Sequence, residues 1–261
     1  MKPSHKKSIS RIKNISLFLM VVSCFQANAQ YTALNAHSHN DYEQRVPFWM
    51  AYNAHFGSIE ADIYAVDGEL FVAHNKSGIK KERTLDALYI EPLVLRFKQN
   101  RGQAWPNFDG ELQLLIDLKT PPNPTLDLLA AKLAQYPEVF DRSVNPNAVQ
   151  VVVSGDMPKP VDFGKYPAFI KFDGRLNITY SPEQLERLGL YSATWNTVKG
   201  KTEADRSKVE DAVRTVHGLG KKVRFWATDD TPEAWKLMIE LGVDFINTDK
   251  INELAAFLEK Q

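Results

Sequence analysis

Short apolar runs alternate with segments of helical period along the chain from about residue 33 onward. Eight of these runs have the length and the β-branched content of buried strands. They cover residues 33–39, 58–66, 112–118, 149–154, 169–173, 191–195, 223–227 and 245–247. Eight strands separated by helical segments are typical of a (β/α)8 barrel. We therefore predict an α/β protein with the TIM-barrel fold.

Helix signals occupy the segments between these runs. Residues 181–184 read Ser-Pro-Glu-Gln, which combines an N-cap, a proline at the first helical position and a capping-box glutamine, and Gly189 follows as a stop signal. Thr231 and Pro232 begin a second helix, which Gly242 ends. A third helix, over 202–219, has one apolar stripe made of Val209, Ala212, Val213, Val216 and Leu219. Such helices are the crossovers that parallel strands need.

A hairpin and an irregular insertion follow the second run. Asp67 and Gly68 are a two-residue hairpin signal, and the returning strand over 70–73 would be additional to the barrel set. Residues 75–110 are the least regular part of the chain, with helices predicted at 84–88 and 92–99 and a loop at 105–108. We expect this insertion to lie over the functional face of the barrel.

The apolar fraction of 44% and the charged fraction of 25% are ordinary for a globular protein, but the first 29 residues differ from the rest. They have a basic start, an apolar run over 15–22 and the sequence Ala-Asn-Ala at 27–29, which together indicate a secretory signal peptide. The apolar run is too short to span a bilayer. A lipid anchor on Cys24 is the alternative. We predict a signal peptide over 1–29, a single domain over 30–261, and an exported protein, periplasmic or extracellular.

Charge and cysteine content exclude several classes of partner and site. The predicted signal peptide carries five of the 32 Lys and Arg residues and none of the 32 Asp and Glu residues, so its removal leaves 27 basic and 32 acidic side chains, a net charge of −5. Without a basic cluster, nucleic acid is not expected as a partner. Cys24 is the only cysteine, which excludes a disulfide or a thiolate-zinc site in the mature domain. No stable protein partner is implied.

Histidines and carboxylates are concentrated between residues 36 and 75. His37 and His39 lie two apart at the end of the first run, and Glu60 and Asp62 lie two apart in the second, so each pair shares a face of its strand. The predicted hairpin returns His74 toward these acids. Carboxyl ends of strands carry function in TIM barrels, so we predict His37, His39 and His74 as candidate catalytic residues.

Asp117 ends the third run and would bring a third carboxylate to Glu60 and Asp62. Three converging carboxylates repel one another unless a cation lies among them, and ligation by oxygen alone suits one Mg²⁺ or Ca²⁺ ion. Histidines beside such a site can serve as base and acid on a substrate whose negative charge the cation neutralises. Lys119 and Lys171 would add positive charge where a phosphate binds.

Several side chains also have an interpretation without function. His55 and His217 fall in helical segments, where a hydrogen-bonded core histidine is the commoner case. Lys171 and Asp173 share a face and could form an internal salt bridge instead of a substrate contact. Tryptophans such as Trp226 more often pack in a core or at a rim than bind a head group.

The ordered set of His, Glu-x-Asp, His and Asp-Leu-Lys resembles a known superfamily over nearly the whole mature chain. Its members are phosphatidylinositol-specific phospholipase C, the glycerophosphodiester phosphodiesterases and arachnid sphingomyelinase D. The start H-S-H-N-D-Y at 37–42, followed by E-A-D at 60–62, is most similar to a branch that includes a fungal mitochondrial-inheritance protein. The resemblance implies a TIM-barrel phosphodiesterase.

Site roles follow from this resemblance by position. They make His37 and His74 the catalytic histidines and Lys119 a contact of the substrate phosphate. The metal ligands are Glu60, Asp62 and Asp117. Trp226 falls where sphingomyelinase D has a head-group tryptophan, and Asn40, in the first motif, is a further candidate for substrate binding.

Three departures from the glycerophosphodiesterase pattern concern the substrate. The usual His-Arg-Gly start is His37-Ser38-His39 here, the Glu-Asn-Thr segment is missing, and Asn75 follows the second histidine in place of Asp. Whether His37 or His39 is catalytic stays open. The expected substrate is a glycerophosphodiester, an inositol phosphodiester or a phospholipid head group. The alternatives are a non-catalytic barrel that binds phosphorylated ligands and, third, a glycoside hydrolase.

Overall fold

The computed structural model of the chain describes residues 30–195 and 203–261, and the described residues from Tyr31 onward belong to one compact unit. The predicted signal peptide and Cys24 lie outside the described residues. Within the described part, no helix is both long enough and apolar enough to cross a membrane.

Within the described residues, nine strands form one sheet that curls into a barrel. They are β1 Ala36–Ser38, β2 Ser58–Val66, β3 Glu69–Val72, β4 Gln113–Leu118, β5 Gln150–Gly155, β6 Ile170–Arg175, β7 Leu188–Thr194, β8 Lys222–Trp226 and β9 Ile246–Thr248. The sheet order is β8-β7-β6-β5-β4-β2-β1-β9, with parallel neighbours, and a parallel bridge between Arg224 and Phe245 brings the two ends together. The predicted (β/α)8 barrel is confirmed. β3 pairs antiparallel with β2 and is the additional hairpin strand.

Helices cover the outside of this barrel. They are α1 Trp49–Asn53, α2 Glu91–Gln99, α3 Pro122–Leu133, α4 Pro137–Phe140, α5 Pro182–Glu186, α6 Glu203–Gly218, α7 Pro232–Glu240 and α8 Ile251–Leu258. The predicted caps of two of them are present, because Ser181 accepts a hydrogen bond from the Gln184 amide and Thr231 one from the Ala234 amide. A π-helical turn, Asp86–Ile90, leads directly into α2 in the predicted insertion.

Local backbone geometry corrects three sequence expectations. The first strand is shorter than predicted, because Thr32 caps a 3-10 turn over Ala33–Asn35 that occupies its first half. Gly189 does not end a helix; it lies in β7, where a Cβ would come within 2.5 Å of Val152 Cγ2, so close packing inside the barrel requires glycine. His55 follows α1 in a turn with φ 58°, and its ring packs on Phe108.

Two apolar layers hold the barrel together. A small layer inside the barrel consists of Leu115, Val152 and Leu190, all of which are fully buried. A much larger core lies between the strands and the helices and includes Phe172 and Phe225. Apolar side chains fill only part of the interior, so the inward positions nearer the carboxyl ends are free to carry polar groups.

Candidate active site

A cavity of about 300 Å³ opens at the carboxyl ends of the strands, where TIM barrels carry their functional groups. It is lined by His39, Asn40, Glu60, Asp62, His74, Asp117, Lys119, Ser154, Gly155, Arg175, Arg224 and Trp226. Eight of these residues belong to the site predicted from sequence. His37 and Lys171, which were also predicted, are not on the wall.

Strand register places three polar side chains in one row across β2, β4 and β5. Asp62 pairs with Asp117, and Asp117 pairs with Ser154. Residues paired in this way point to the same side of a sheet, so the two carboxylates become neighbours. Lys119, just after β4, places its Nζ 2.9 Å from Asp62 Oδ2 and 2.8 Å from Asp117 Oδ1. The ammonium group of Lys119 therefore bridges two of the three predicted metal ligands.

Burial dominates the electrostatics of the two aspartates. Burial and the nearby charge of Glu60 raise the pKa of Asp62 to about 6. Burial also raises the pKa of Asp117, with Lys119 opposing the change. Each negative charge in this row is costly to keep away from water, and positive charge in the cavity lowers that cost.

His37 lies beneath the cavity and is fully buried. Its Nδ1 is 2.7 Å from Ser58 Oγ and its Nε2 is 2.7 Å from Glu60 Oε2. The Arg224 guanidinium contacts His37 Nε2 and lies 3.0 Å from the same Glu60 oxygen. Burial, followed by the charge of Arg224, lowers the pKa of His37 to about 3, so the ring is neutral at neutral pH. His37 supports Glu60 from below, whereas His39 and His74 line the cavity.

Arg224 keeps Glu60 ionised. Burial alone would raise the pKa of Glu60, but Arg224 and His37 outweigh it and hold that pKa well below its usual range. Arg224 is itself buried, which makes its pair with Glu60 costly to break. Its alternation with Trp226 on the seventh predicted run was visible in the sequence, but the partner on β2 was not.

His39 follows β1 on the cavity wall and pairs with Asp249, a carboxylate that comes directly after β9. Its Nδ1 is 2.9 Å from Asp249 Oδ1 and 3.0 Å from Asn40 Nδ2. Burial opposes protonation, but the hydrogen bond to Asp249 and the charge of Glu60 raise the pKa of His39 above its ordinary value. The contact with Asp249 places the proton of a neutral ring on Nδ1 and leaves Nε2 as an acceptor.

Tyr42, which the sequence analysis did not select, joins His74 to the carboxylate row. Its hydroxyl lies 2.6 Å from Asp62 Oδ2, 2.7 Å from Asn40 Oδ1 and 3.1 Å from His74 Nδ1. Burial and the charge of Asp62 raise the pKa of Tyr42 far above its ordinary value, so the phenol stays protonated. Its position three residues after His39 was the only sequence signal.

Arg175 lines the cavity and is another residue that the sequence analysis did not select. Its guanidinium contacts Asp173 Oδ2 and lies 3.1 Å from Ser192 Oγ, while Ser154 donates to the same Asp173 oxygen at 2.8 Å. The predicted strand ended at residue 173, whereas β6 continues to Arg175. The period of two over Lys171, Asp173 and Arg175 was the signal that could have identified it.

The structure corrects both interpretations of Lys171. This residue is near the start of β6, at the end of the barrel opposite the cavity, and its Nζ donates to the Glu186 carbonyl at 3.1 Å. Asp173 pairs with Arg175 instead of Lys171. His217 is in α6 as predicted, but its side chain is 43% exposed and bound to Asp244, so it is not a core residue.

The three predicted metal ligands all line the cavity, but in the described ranges no three His, Cys, Asp or Glu side chains are grouped as a metal site. One observation fits a hard cation here: Asp62 Oδ1 is buried and has no hydrogen-bond partner. Gly155, with φ 74°, is tightly packed, because a Cβ there would lie 2.5 Å from Asp117 Oδ1 and 2.5 Å from the Leu118 carbonyl oxygen. Oxygen donors of this kind suit Mg²⁺ or Ca²⁺, and the metal site stays a prediction.

Known proteins are similar to this chain in sequence or in fold. An altered inheritance of mitochondria protein 6 homolog from Arthroderma benhamiae is 29% identical over 256 residues, which are 83% of this chain and 81% of the relative. The altered inheritance of mitochondria protein 6 of Lachancea thermotolerans is 26% identical over 84% of this chain and 64% of its own length. The crystal structure of a glycerophosphodiester phosphodiesterase from Parabacteroides distasonis has the same fold, with a TM-score of 0.53 and 18% identity over 86% of this chain and 95% of its own.

Family profiles agree with these relatives. The profile of the glycerophosphoryl diester phosphodiesterase family matches residues 222–251. The profile of the AIM6-like phosphodiesterase domain matches residues 26–161, which include β1 to β5 and most of the cavity wall. The superfamily resemblance and its branch are confirmed. Because the match to the AIM6-like profile covers just over half of the sequence, the chain belongs to the AIM6-like phosphodiesterase domain family.

Proposed function

We propose that this chain is a metal-dependent hydrolase of phosphodiesters, acting on a glycerophosphodiester, an inositol phosphodiester or a phospholipid head group. One observation carries the proposal. His39 and His74 line the same cavity as Glu60, Asp62 and Asp117, at the end of the barrel where this fold places its chemistry. Phosphodiester cleavage needs these groups: an acid, a base and positive charge on the phosphate oxygens.

The two histidines divide the proton transfers in this proposal. Tyr42 has one proton and lies beside two oxygen acceptors, so the His74 Nδ1–H group donates to the Tyr42 oxygen and Nε2 is left as a base. This base removes the proton of the attacking oxygen as the new P–O bond forms. His39, whose raised pKa favours its protonated form, gives a proton to the leaving alcohol as the old P–O bond breaks.

Divalent cation binding by Glu60, Asp62 and Asp117 is part of the proposal. The buried and unpartnered Asp62 Oδ1 supports it. A cation at these oxygens would neutralise charge on the phosphate. Lys119, whose pKa is raised by its contacts with Asp117 and Asp62 against the effect of burial, keeps a positive charge in the same place.

The test is hydrolysis of bis(4-nitrophenyl) phosphate by chelator-treated protein, with Mg²⁺ or Ca²⁺ then added back. We expect activity only with added metal. His39→Ala and His74→Ala should each lower kcat by about 10² or more. His217→Ala is the matched control and should keep full activity. His217 lies on α6, outside the cavity, where it pairs with Asp244. Turnover indifferent to chelation would contradict the metal requirement.

A binding module without catalysis is the second candidate, because the same cavity offers Lys119 and Arg175 to a phosphorylated ligand. It predicts that the parent protein binds inorganic phosphate or a phosphate ester in calorimetry but hydrolyses none of the diesters. Retained affinity in His39→Ala and His74→Ala would then support binding without chemistry. A glycoside hydrolase would leave both histidines without a role.

Export is proposed from the sequence of residues 1–29. Cleavage after Ala29 predicts an intact mass for the exported protein that begins at Gln30. A mass that instead includes a lipid on Cys24 would support membrane anchoring. Retention of residues 1–29 in the recovered protein would contradict both forms of export.

A further inference from the structure

A second cavity of about 490 Å³ adjoins the first and shares two residues with it, Arg175 and Trp226. It lies over the carboxyl ends of β6, β7 and β8. Its wall exposes more apolar than polar surface: Leu176, Ala193 and Trp226 are the apolar residues, and Arg175, Asn177, Ser192 and Thr194 are the polar ones. Cavities of this size, joined to a charged centre, have the dimensions of a ligand subsite.

Trp226 marks the junction of the two cavities. Among the exposed large hydrophobic side chains of the described residues it is the only aromatic, with 41% of its surface accessible. A tryptophan at a cavity mouth offers a large apolar surface to a ligand. Its neighbour at the junction, Arg175, is held by Asp173 and Ser192 and is therefore fixed in place between the two cavities.

We propose that the second cavity binds an aliphatic arm of the substrate. The protein then prefers phosphodiesters in which one ester group carries an alkyl or acyl chain. This proposal rests on the proposed function for the reaction but not for the binding. The phosphate of the substrate lies in the first cavity near Lys119, and its aliphatic arm extends past Arg175 and Trp226 over β6 to β8.

Chemical complementarity separates this occupant from a polyol. Asn177, Ser192 and Thr194 supply the polar part of this wall, but glycerol or inositol hydroxyl groups placed against its apolar part, Leu176, Ala193 and Trp226, would lose hydrogen bonds to water. Methylene groups gain free energy in the same place. A fully buried methylene raises affinity or kcat/KM by about fourfold, which corresponds to about 0.8 kcal/mol, and partial burial gives about twofold.

The experiment compares methyl, butyl and octyl 4-nitrophenyl phosphates with the metal-loaded protein. The measured quantity is the ratio of kcat/KM between the octyl and the methyl ester. We expect this ratio to exceed about tenfold in the parent chain and to fall toward one in Ala193→Phe, which fills the second cavity. Ala212→Phe is the matched control, since Ala212 is also partly buried but lines a neighbouring cleft beside α6 that shares only Leu176 with the second cavity, and it should keep the parent ratio.

Binding of octyl phosphate and ethyl phosphate, measured by calorimetry, tests the subsite without turnover. Octyl phosphate should bind at least about tenfold more tightly, and Ala193→Phe should remove the difference. If Ala193→Phe does not fold, Trp226→Ala removes one wall of the cavity and should also lower the preference for octyl phosphate.

The outcomes separate this inference from the proposed function. Hydrolysis of all three esters with equal kcat/KM would overturn the subsite and leave the phosphodiesterase proposal intact. Absence of hydrolysis, together with octyl phosphate binding that Ala193→Phe abolishes, would overturn the reaction and support the subsite. If Ala193→Phe and Ala212→Phe changed the octyl-to-methyl ratio equally, the octyl group would be adsorbing to the protein surface in general, which also overturns the subsite.

Discussion

The hydroxyl group of Tyr42 has a single proton and three possible partners, on Asp62, Asn40 and His74. The hydroxyl can donate only one hydrogen bond, so any other neighbour bonded to it must donate to its oxygen. Tyr42 therefore influences how these side chains are oriented. Tyr42 is almost fully buried, so packing fixes the position of its ring and hydroxyl. It is therefore a positioning residue for His74 and Asp62.

Tyr42→Phe should lower kcat by about tenfold with little change in KM, because the His74 ring loses the partner that orients it. The pH dependence of kcat should change as well. Tyr89→Phe is the matched control, since its hydroxyl is also buried and donates to Asp41 at 2.9 Å but does not reach the cavity. Equal losses of kcat in both variants would show that Tyr42 acts only through stability.

Asp62 should make the stability of the protein depend on pH. The pKa of Asp62 is about 6 in the folded chain and 3.8 ordinarily. Below pH 4 its carboxyl group is therefore protonated in both the folded and the unfolded state, and burying it does not lower the free energy of unfolding through a charge. As pH rises through 6, the folded state must ionise it, and this contribution to stability is lost. Asp62→Asn should therefore gain about 2 kcal/mol of unfolding free energy relative to the parent chain between pH 4 and pH 7.

Urea unfolding of both proteins at the two pH values, in the presence of chelator, measures this difference. Asp41 also has a pKa raised to about 6 by burial, but it is present in both proteins and cancels. A stability difference that does not change with pH would contradict the raised pKa of Asp62.

At the scale of single elements, the alternation of β2 and the register with β4 and β5 build the acidic row. Alternation is a local property of a strand, so Glu60 and Asp62 could be assigned to one face from the sequence. Register is not local. The alignment of Asp62 with Asp117 and Ser154 depends on how three strands from distant parts of the chain meet.

Gly155 ends β5 with a positive φ and packs closely against Asp117 Oδ1 and the Leu118 backbone. Gly155→Ala should cost about 1–2 kcal/mol, because φ is 74° and the new Cβ would lie 2.5 Å from Asp117 Oδ1. Affinity for the divalent cation should fall with it. Gly164→Ala is the control, since a Cβ there meets no atom within 4 Å. Thermal unfolding and metal calorimetry of both variants check the prediction, and equal cation affinity in both would contradict a metal contact at Asp117.

At the scale of the whole molecule, cation binding should couple to stability. A ligand that binds only the folded state stabilises it by about 2.7 kcal/mol at a concentration about 100 times its Kd. For a chain of this size this corresponds to a rise in Tm of about 5–10 °C. We expect Mg²⁺ or Ca²⁺ to produce such a rise, and Asp62→Asn to abolish it. Glu111→Gln, which alters an exposed carboxylate outside the cavity, should retain it. An unchanged Tm at saturating cation would contradict the metal site.

Most of the fold was predictable from the sequence, because strand and helix signals depend on side chains a few positions apart. The eight barrel strands, the hairpin strand and the caps at Ser181 and Thr231 follow from such local patterns. Boundaries were less accurate. The 3-10 turn at Thr32 and the full length of β6 depend on contacts with residues far along the chain.

The identity of the acid and histidine residues at the cavity was readable from their order in the chain, since a parallel barrel brings the carboxyl ends of its strands to one face. Their pairing was not. Burial of His37 under Glu60 and Arg224, the bridge of Lys119 between Asp62 and Asp117, and the displacement of Lys171 to the far end all arise from closing the barrel. Closure sets distances between side chains on different strands, and no pattern within one strand contains that information.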